Sequence, residues 1–297
     1  MKRIALLPAG SVSHEAVDYL LGNEPVELIH YKLISDVFMA VVQGKADYAV
    51  IPVENTIEGS VSLHMDWLVN EVDIPMRAEW VYPSIQNLVG RQEEFVGEDG
   101  NLDFSKIRKV LSHPVAIAQC RTFISEHLLN AELENASSTA EGAAQAAAHP
   151  ESGWAAFSTR LGAERYGLDV LAERVTDHDN NYTRFVLIGP ERINLDKHSE
   201  HEKTSMQVIL PEDYAGALHQ VLSAFAWRRL NLSRIESRPT KKKLGNYYFY
   251  IDVLEAGDSV LLKAAIEEIA ALGCQVRVLG SYPCFDYETE KTEAQQQ

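Results

Sequence analysis

The amino-acid sequence predicts an α/β protein: two α/β lobes followed by a smaller domain of βαββαβ, ferredoxin-like order. Three observations carry that expectation. Short apolar runs alternate with helically spaced segments up to about Pro190. The alternation then stops at a polar stretch, ERINLDKHSEHEK, which has no apolar period and reads as a linker. Beyond it, six elements follow in the order strand, helix, strand, strand, helix, strand. A chain of 297 residues, 46% of them hydrophobic, is long for one core and comfortable for more than one domain. The expected division is 1–190, 203–283, and a disordered tail over 284–297.

Each element has its own justification. RIALLPA opens the chain as a strand. SHEAVDYLLG pairs Ala16 with Leu20 and Val17 with Leu21 at helical spacing, and Gly22 is placed to stop it. ELIHYKLI reads as a strand, and SDVFMAVVQG as a helix with Ser35 at its N-cap and Gly44 past its end. ADYAVIPVEN is a strand with a polar end, after which Ser60 is placed to cap VSLHMDWLVN. Such alternation implies a largely parallel sheet. A second unit repeats the theme. KIRKVLS is a strand leading into Ser112, and HPVAIAQCRTFISEHL one helix with Pro114 in its first turn. Ser138 and Glu141 make a capping box at the head of STAEGAAQAAAH. GWAAFS, LDVLAERV and TRFVLIGP are strands, with the helix TRLGAERYG between the first two. In the last domain TSMQVIL, LSRIESR, NYYFYIDVLE and CQVRVLGSY are the strands. YAGALHQVLSAFAWRR and SVLLKAAIEEIAALG are its helices, and Lys241–Lys243 fall in the turn between the middle strands.

Composition narrows the function. A net charge of −16 disfavours nucleic acid or an anionic membrane as partner of the whole surface. No run approaches the ~20 apolar residues of a membrane span. MKRIALLPAG is followed by the charged SVSHEAVDYL without a cleavage-like site, so the expected location is the cytoplasm. Cys120, Cys274 and Cys284 fit no zinc or redox spacing, and the histidines are scattered. There is no P-loop, no G-x-G-x-x-G and no G-x-S-x-G, which disfavours nucleotide enzymes and α/β-hydrolases. No metal or cofactor is expected.

What remains are polar motifs where strands give way to helices: AGSVSH, VENTIEGS, LSHP and SSTAE. In open α/β sheets ligands gather at the C-terminal ends of strands, where helix N-termini offer free N–H groups to anions. Each serine or threonine alone reads first as a helix cap; the four motifs together, with an arginine, point to a pocket for a small polyanionic metabolite. Arg184 opens the apolar run FVLI, where a charge is costly. It is either one half of a salt bridge or a planar fork for a substrate carboxylate. Thr183 beside it is an ordinary strand residue or a hydroxyl donor to a reacting oxygen.

These residues carry a family resemblance. PVENTIEGSV (52–61), LSHPVAIAQC (111–120), STAEGAA (138–144) and NYTRF (181–185) resemble the signature segments of prephenate dehydratase. GALHQVL (216–222), NLSRIESRP (231–239) and VRVLGSYP (276–283) resemble the regulatory ACT domain that follows it. Departures are Leu7-Pro8 for an opening glycine-proline, Thr56 for a serine, and Gln86 for a histidine. The resemblance is to the monofunctional form. It implies a two-lobed catalytic fold like a type II periplasmic binding protein, with a ferredoxin-like ACT domain behind it. It also implies decarboxylating dehydration of prephenate to phenylpyruvate, in L-phenylalanine biosynthesis. By the same resemblance Arg184 grips a carboxylate, Thr183 meets the departing hydroxyl, and Asn55, Ser112 and Gln119 are neutral donors. Gln119 is expected two turns into a regular helix, facing the same way as Ser112. Glu54, Gly59, Ser60, Ser138, Thr139 and Phe185 would line the substrate site. In the ACT domain Gly216, Ala217, Leu218, Asn231 and Leu232, with Glu236, Ser237, Arg238 and Pro239, would form a phenylalanine site between paired domains. A homodimer or homotetramer is implied. Arogenate dehydratase and a non-catalytic amino-acid sensor are the alternatives.

Overall fold

The computed structural model describes the chain except residues 23, 196, 198, 200, 213, 240–246 and 288–297. The first lobe starts with β1 (Lys2–Leu6), α1 (Val12–Leu21), β2 (Val26–His30), α2 (Ile34–Val42) and β3 (Tyr48–Asn55). The three strands are parallel in the order β2-β1-β3. The apolar runs of β1 and β3 are continuous because helices cover both faces, whereas β2, at the sheet edge, is only half-buried. Ile4 and Leu6 pack with Ala16, Val17 and Leu20 of α1, while Ala5 packs with Val37 and Phe38 of α2. The short β4 (Gly59–Ser60) folds back on β3, and α3 (Ser62–Asp66) runs into a π-helical turn at Trp67–Glu71. The lobe closes with β5 (Met76–Pro83).

The chain then crosses to the second lobe: β6 (Asn87–Gly90), α4 (Gln92–Phe95), β7 (Lys109–Ser112), α5 (Pro114–Ala118), α6 (Arg121–His127) and β8 (Glu132–Asn135). It continues through α7 (Thr139–Ala148), β9 (Trp154–Ser158), α8 (Arg160–Tyr166) and β10 (Asp169–Ala172). It returns as β11 (Tyr182–Ile188), which enters between β3 and β5, antiparallel to both. Two crossings between two α/β lobes make the two-lobed, binding-protein-like architecture that the sequence predicts.

The last part, β12 (His201–Ile209), α9 (Ala217–Ala226), β13 (Leu232–Pro239), β14 (Tyr247–Val253), α10 (Val260–Ala271) and β15 (Gln275–Phe285), has the expected βαββαβ order. Its strands do not form a separate sheet. β15 pairs parallel to β5, so one sheet runs β13-β14-β12-β15-β5-β11-β3-β1-β2. Gly280 makes the seam possible: a Cβ there would lie 2.5 Å from the Met76 carbonyl oxygen.

Several sequence expectations need correction. The sheets are mixed, because each crossing brings in a strand of opposite sense: β11 in the first lobe, β6 against β9 in the second. β5, β6 and β8 were not anticipated. ELIHYKLI leaves the strand at His30, and α2 starts at Ile34 with Leu33 as N-cap, so Ser35 lies inside the helix. Ser60 is in β4 rather than at a cap. The helix expected over 113–128 breaks at Gln119 and Cys120 into α5 and α6. Ser138 caps α7 as read, its Oγ accepting from Glu141 N at 3.0 Å, but the expected box is only half made: Glu141 Oε1 accepts from Gln145 Nε2 at 3.1 Å instead. Cys284 and Phe285 belong to β15, not to a tail. The rest of that tail from 288, and Lys241–Lys243, lie outside the described residues.

Candidate active site

A cavity of about 720 Å³ lies between the two lobes. The first lobe contributes Ser11, Lys32, Asn55, Gly59, Ser60 and His64; the second contributes Gln86, His113, Gln119, Ser138 and Thr139. The crossing strands add Ser84, Thr183 and Phe185. The N-termini of α1, α2 and α7 all reach the wall, so N–H groups without helical partners face the cavity.

Thr183 is held from two sides. Asn55 Nδ2 donates to Thr183 Oγ1 at 3.1 Å, and Ser84 Oγ lies 2.6 Å from it. A hydroxyl has one proton and two lone pairs. With Ser84 donating, both lone pairs are used and the Thr183 proton is free to point at a ligand. Asn55 is fixed in turn, because its Oδ1 accepts from Ile57 N and Glu58 N at 2.9 and 3.1 Å. Its Nδ2 also reaches Asn181 Oδ1 at 2.8 Å, and Asn181 Nδ2 donates to Gln119 Oε1 at 2.8 Å. One chain of neutral hydrogen bonds thus joins the lobes. Gln119 Nε2, Gln86 Oε1 and Ser11 Oγ are buried in the wall without a protein partner. Buried polar atoms of this kind are costly unless something binds them.

A register shift sets this face. Thr183 pairs with Asn55 and Arg184 with Glu54, but Phe185 pairs with Pro52. The extra residue on β3 puts Pro52 and Asn55, three apart, on the cavity side together. Burial favours the neutral form of both histidines in the wall. His64 Nδ1 donates to the Pro52 carbonyl at 2.7 Å, and burial pushes its pKa below the usual value. Burial does the same at His113, whose Nδ1 accepts from Val115 N.

Of the expected site residues, Thr183, Asn55, Gln119, Gly59, Ser60, Ser138, Thr139 and Phe185 line this cavity. Arg184, Glu54 and Ser112 do not. Strand alternation sends Arg184 to the opposite face of β11 from Thr183. There its Nη1 donates to Asp252 Oδ2 at 2.8 Å and Glu79 Oε2 at 3.1 Å, and its Nη2 is 3.0 Å from Glu54 Oε2. Burial alone would pull the Arg184 guanidinium down, but Asp252 and Glu79 outweigh it and hold its pKa well above the usual value. Burial would likewise raise Asp252, and Arg184 reverses that. Ser112 is fully buried and donates to the Phe157 carbonyl at 2.7 Å, tying β7 to β9. Gln119 reaches the wall because α5 ends there, not because a regular helix carries it round.

The expected effector segment divides between two sides of β13. Ser237 and Pro239 are exposed. Glu236 and Arg238 face the first lobe: Glu236 accepts from the cavity residue Ser60 at 2.5 Å, and Arg238 donates to Asp66 Oδ1 at 2.7 Å and to the Ser62 carbonyl at 3.0 Å. Gly216 caps α9 at φ 94°, a backbone state that favours glycine; Ala217 is buried, and Leu218 and Leu232 pack on the same core. The Asn231 carbonyl accepts from Leu254 N. Reading the sequence alone missed Lys32, His64, Ser84 and Asn181. Only Asn181 carried a signal, standing inside NYTRF.

Residues 4–193 match the prephenate dehydratase family model, and residues 204–271 match the ACT domain model. The chain belongs to the prephenate dehydratase family. A prephenate dehydratase of Bacillus subtilis (strain 168) is 40% identical over 290 residues, 96% of this chain and 99% of the relative. One from Methanocaldococcus jannaschii is 36% identical over 287 residues, 95% of this chain and 98% of the relative. The crystal structure of prephenate dehydratase in complex with L-Phe from Arthrobacter aurescens superposes with a TM-score of 0.82 at 33% identity, covering 94% of this chain and 89% of that one.

Proposed function

We propose that the chain converts prephenate to phenylpyruvate, CO₂ and water, under control by L-phenylalanine. The observation that carries the reading is the Thr183 hydroxyl, lining the interlobe cavity and held by Asn55 and Ser84, an arrangement that frees its proton for a ligand when Ser84 donates.

The reaction breaks two bonds of the cyclohexadiene. The ring C–O bond breaks and the hydroxyl, taking up one proton, leaves as water. The bond to the ring carboxylate breaks and CO₂ departs, its electron pair completing the benzene ring. Aromatisation drives the step, so the protein supplies positioning and hydrogen bonds rather than a strong acid or base. Thr183 donates a hydrogen bond to the departing hydroxyl, with Ser84 behind it in the same hydrogen-bonded pair, and the one proton consumed comes in net from solvent water entering the cavity. Gln119 Nε2 and the helix N-termini take carboxylate oxygens. Neutral donors suit the carboxylate that must leave, since a fixed cation would stabilise its charge more before reaction than in the transition state. Phe185 walls the ring.

Phenylalanine would act through the ACT domain of a homodimer or homotetramer, a reading supported by the L-Phe complex of the Arthrobacter aurescens relative. The test is a spectroscopic assay for phenylpyruvate with purified protein, prephenate and then arogenate. Formation from prephenate, inhibited by phenylalanine, is expected. No product from either substrate would favour a non-catalytic sensor, and a large preference for arogenate would replace the substrate.

A further inference from the structure

A substrate with two carboxylates poses a charge problem once Arg184 is turned away behind the sheet. Besides the histidines, whose charge burial disfavours and of which His113 uses Nδ1 as an acceptor, the side chains around the cavity that carry formal charge are Lys32 and Glu58. Among the described residues Lys32 is therefore the lysine or arginine that lines the wall. It is exposed, and no described residue forms an ion pair with it. It directly precedes Leu33, the N-cap of α2, a helix of nine residues whose first turn also lines the cavity. The wall also holds Ser11 Oγ and Gln119 Nε2, both more than nine-tenths buried and without a protein partner. A free cation, an open helix N-terminus and unsatisfied buried polar atoms around one space mark the place of an anion.

We propose that Lys32, with the first turn of α2, binds the side-chain carboxylate that the substrate keeps, and selects the keto acid over its amino counterpart. The proposal rests on the dehydratase reading above. Two arguments fix which carboxylate. The cation would hinder the one that leaves as CO₂, because it would bind the ground state more tightly than the transition state. On the retained carboxylate it binds both states equally and lowers KM. Selectivity follows from the neighbouring group. In arogenate an ammonium replaces the keto oxygen beside that carboxylate, and Lys32 would repel it.

The experiment compares wild type, Lys32→Gln and Lys32→Arg on prephenate and arogenate, with equilibrium binding of phenylpyruvate as a readout independent of turnover. Phenylpyruvate keeps only the side-chain carboxylate. Lys32→Gln should raise KM for prephenate about 10- to 100-fold, the range of a lost hydrogen bond to a charged group, with kcat within a few-fold. Phenylpyruvate affinity should fall by a similar factor, the prephenate-to-arogenate ratio of kcat/KM should shrink, and Lys32→Arg should restore most of each. Unchanged KM and unchanged phenylpyruvate affinity in Lys32→Gln would overturn the inference while wild-type activity leaves the dehydratase reading standing. A raised kcat with unchanged phenylpyruvate affinity would put Lys32 on the departing carboxylate and equally overturn it. A wild type inactive on both substrates would sink the underlying reading, and this inference with it.

Discussion

Replacing Arg184 by methionine separates a carboxylate-binding role from a buried structural one. The guanidinium is enclosed by Asp252, Glu79 and Glu54, and Asp252 has no exposed surface. Glu79 keeps Lys203 as an ion-pair partner in the variant. Asp252 keeps only the Ser205 hydroxyl as a side-chain hydrogen-bond partner among the described residues. Removing one member of a buried pair and leaving the other charge behind costs about 3–5 kcal/mol. At about 2 °C per kcal/mol for a chain of this size, Tm should fall by ~6–10 °C. Thermal unfolding of Arg184→Met, Asp252→Asn and the double variant tests this. The double variant should recover most of the loss, because removing both charges of a buried pair is close to neutral. The pH dependence has a definite sign. In wild type Asp252 is held below the usual carboxylate range, so its contribution is present above the unfolded value of about 3.9 and is lost as pH falls through the folded value. Without Arg184, burial raises Asp252 instead. The variant should then gain stability on mild acidification, and its gap from wild type should narrow. A variant with wild-type Tm and a raised KM for prephenate would refute the reasoning and return Arg184 to the substrate.

Two other substitutions probe different parts of the molecule. Thr183→Val removes the hydroxyl while keeping the shape; kcat for phenylpyruvate formation should fall at least ~10²-fold with far-UV circular dichroism unchanged, and wild-type turnover would take Thr183 out of the mechanism. Gly280→Ala puts a methyl against the Met76 backbone at 2.5 Å, so the β15–β5 seam must open; stability should drop by about 1–3 kcal/mol in denaturant titration and phenylalanine inhibition should weaken more than basal turnover.

The strands and helices with clean periodicity were legible because their faces are one-sided. Ala16, Val17, Leu20 and Leu21 are buried together, as their spacing implies. β5 and β6 were missed for different reasons. MRAEW in β5 does alternate at the strand period, but its buried polar position, Glu79, obscures which face is the core, and NLVG in β6 is too short to carry a period. Glu79 is there for Arg184 and Lys203, and Asn87 for the turn at Arg174, whose backbone N–H it receives at 3.0 Å. Thr183 and Asn55 were legible as motif residues, but the direction of Arg184 was not. The residue type announces a strong interaction, and alternation places it opposite Thr183, but which of the two faces the cavity depends on the packing of the lobes and on a carboxylate 68 residues away in β14. The cavity was half visible: the capping serines point to it, but Ser84 and Lys32 reach it only through the fold.

The seam ties the effector domain to a residue of the cavity wall. Ser60 lines the cavity and donates to Glu236, while Arg234 and Arg238 hold Glu236 from either side. On the next strand Asp252 holds Arg184, the neighbour of Thr183. These contacts are half-buried or buried, so sliding β13 and β14 against the first lobe would strand charges at a cost that buried pairs make large. A small displacement is therefore carried into Ser60 and into the backbone of β11 rather than absorbed at the interface. A ligand on the ACT domain can use this linkage only if it binds one arrangement of the seam more tightly than another. The same differential must then appear reciprocally as a change in phenylalanine affinity when prephenate occupies the cavity. Gly280→Ala, which forces the seam apart without touching either site, should diminish both effects together. If one effect persisted without the other, the coupling would run through some other contact.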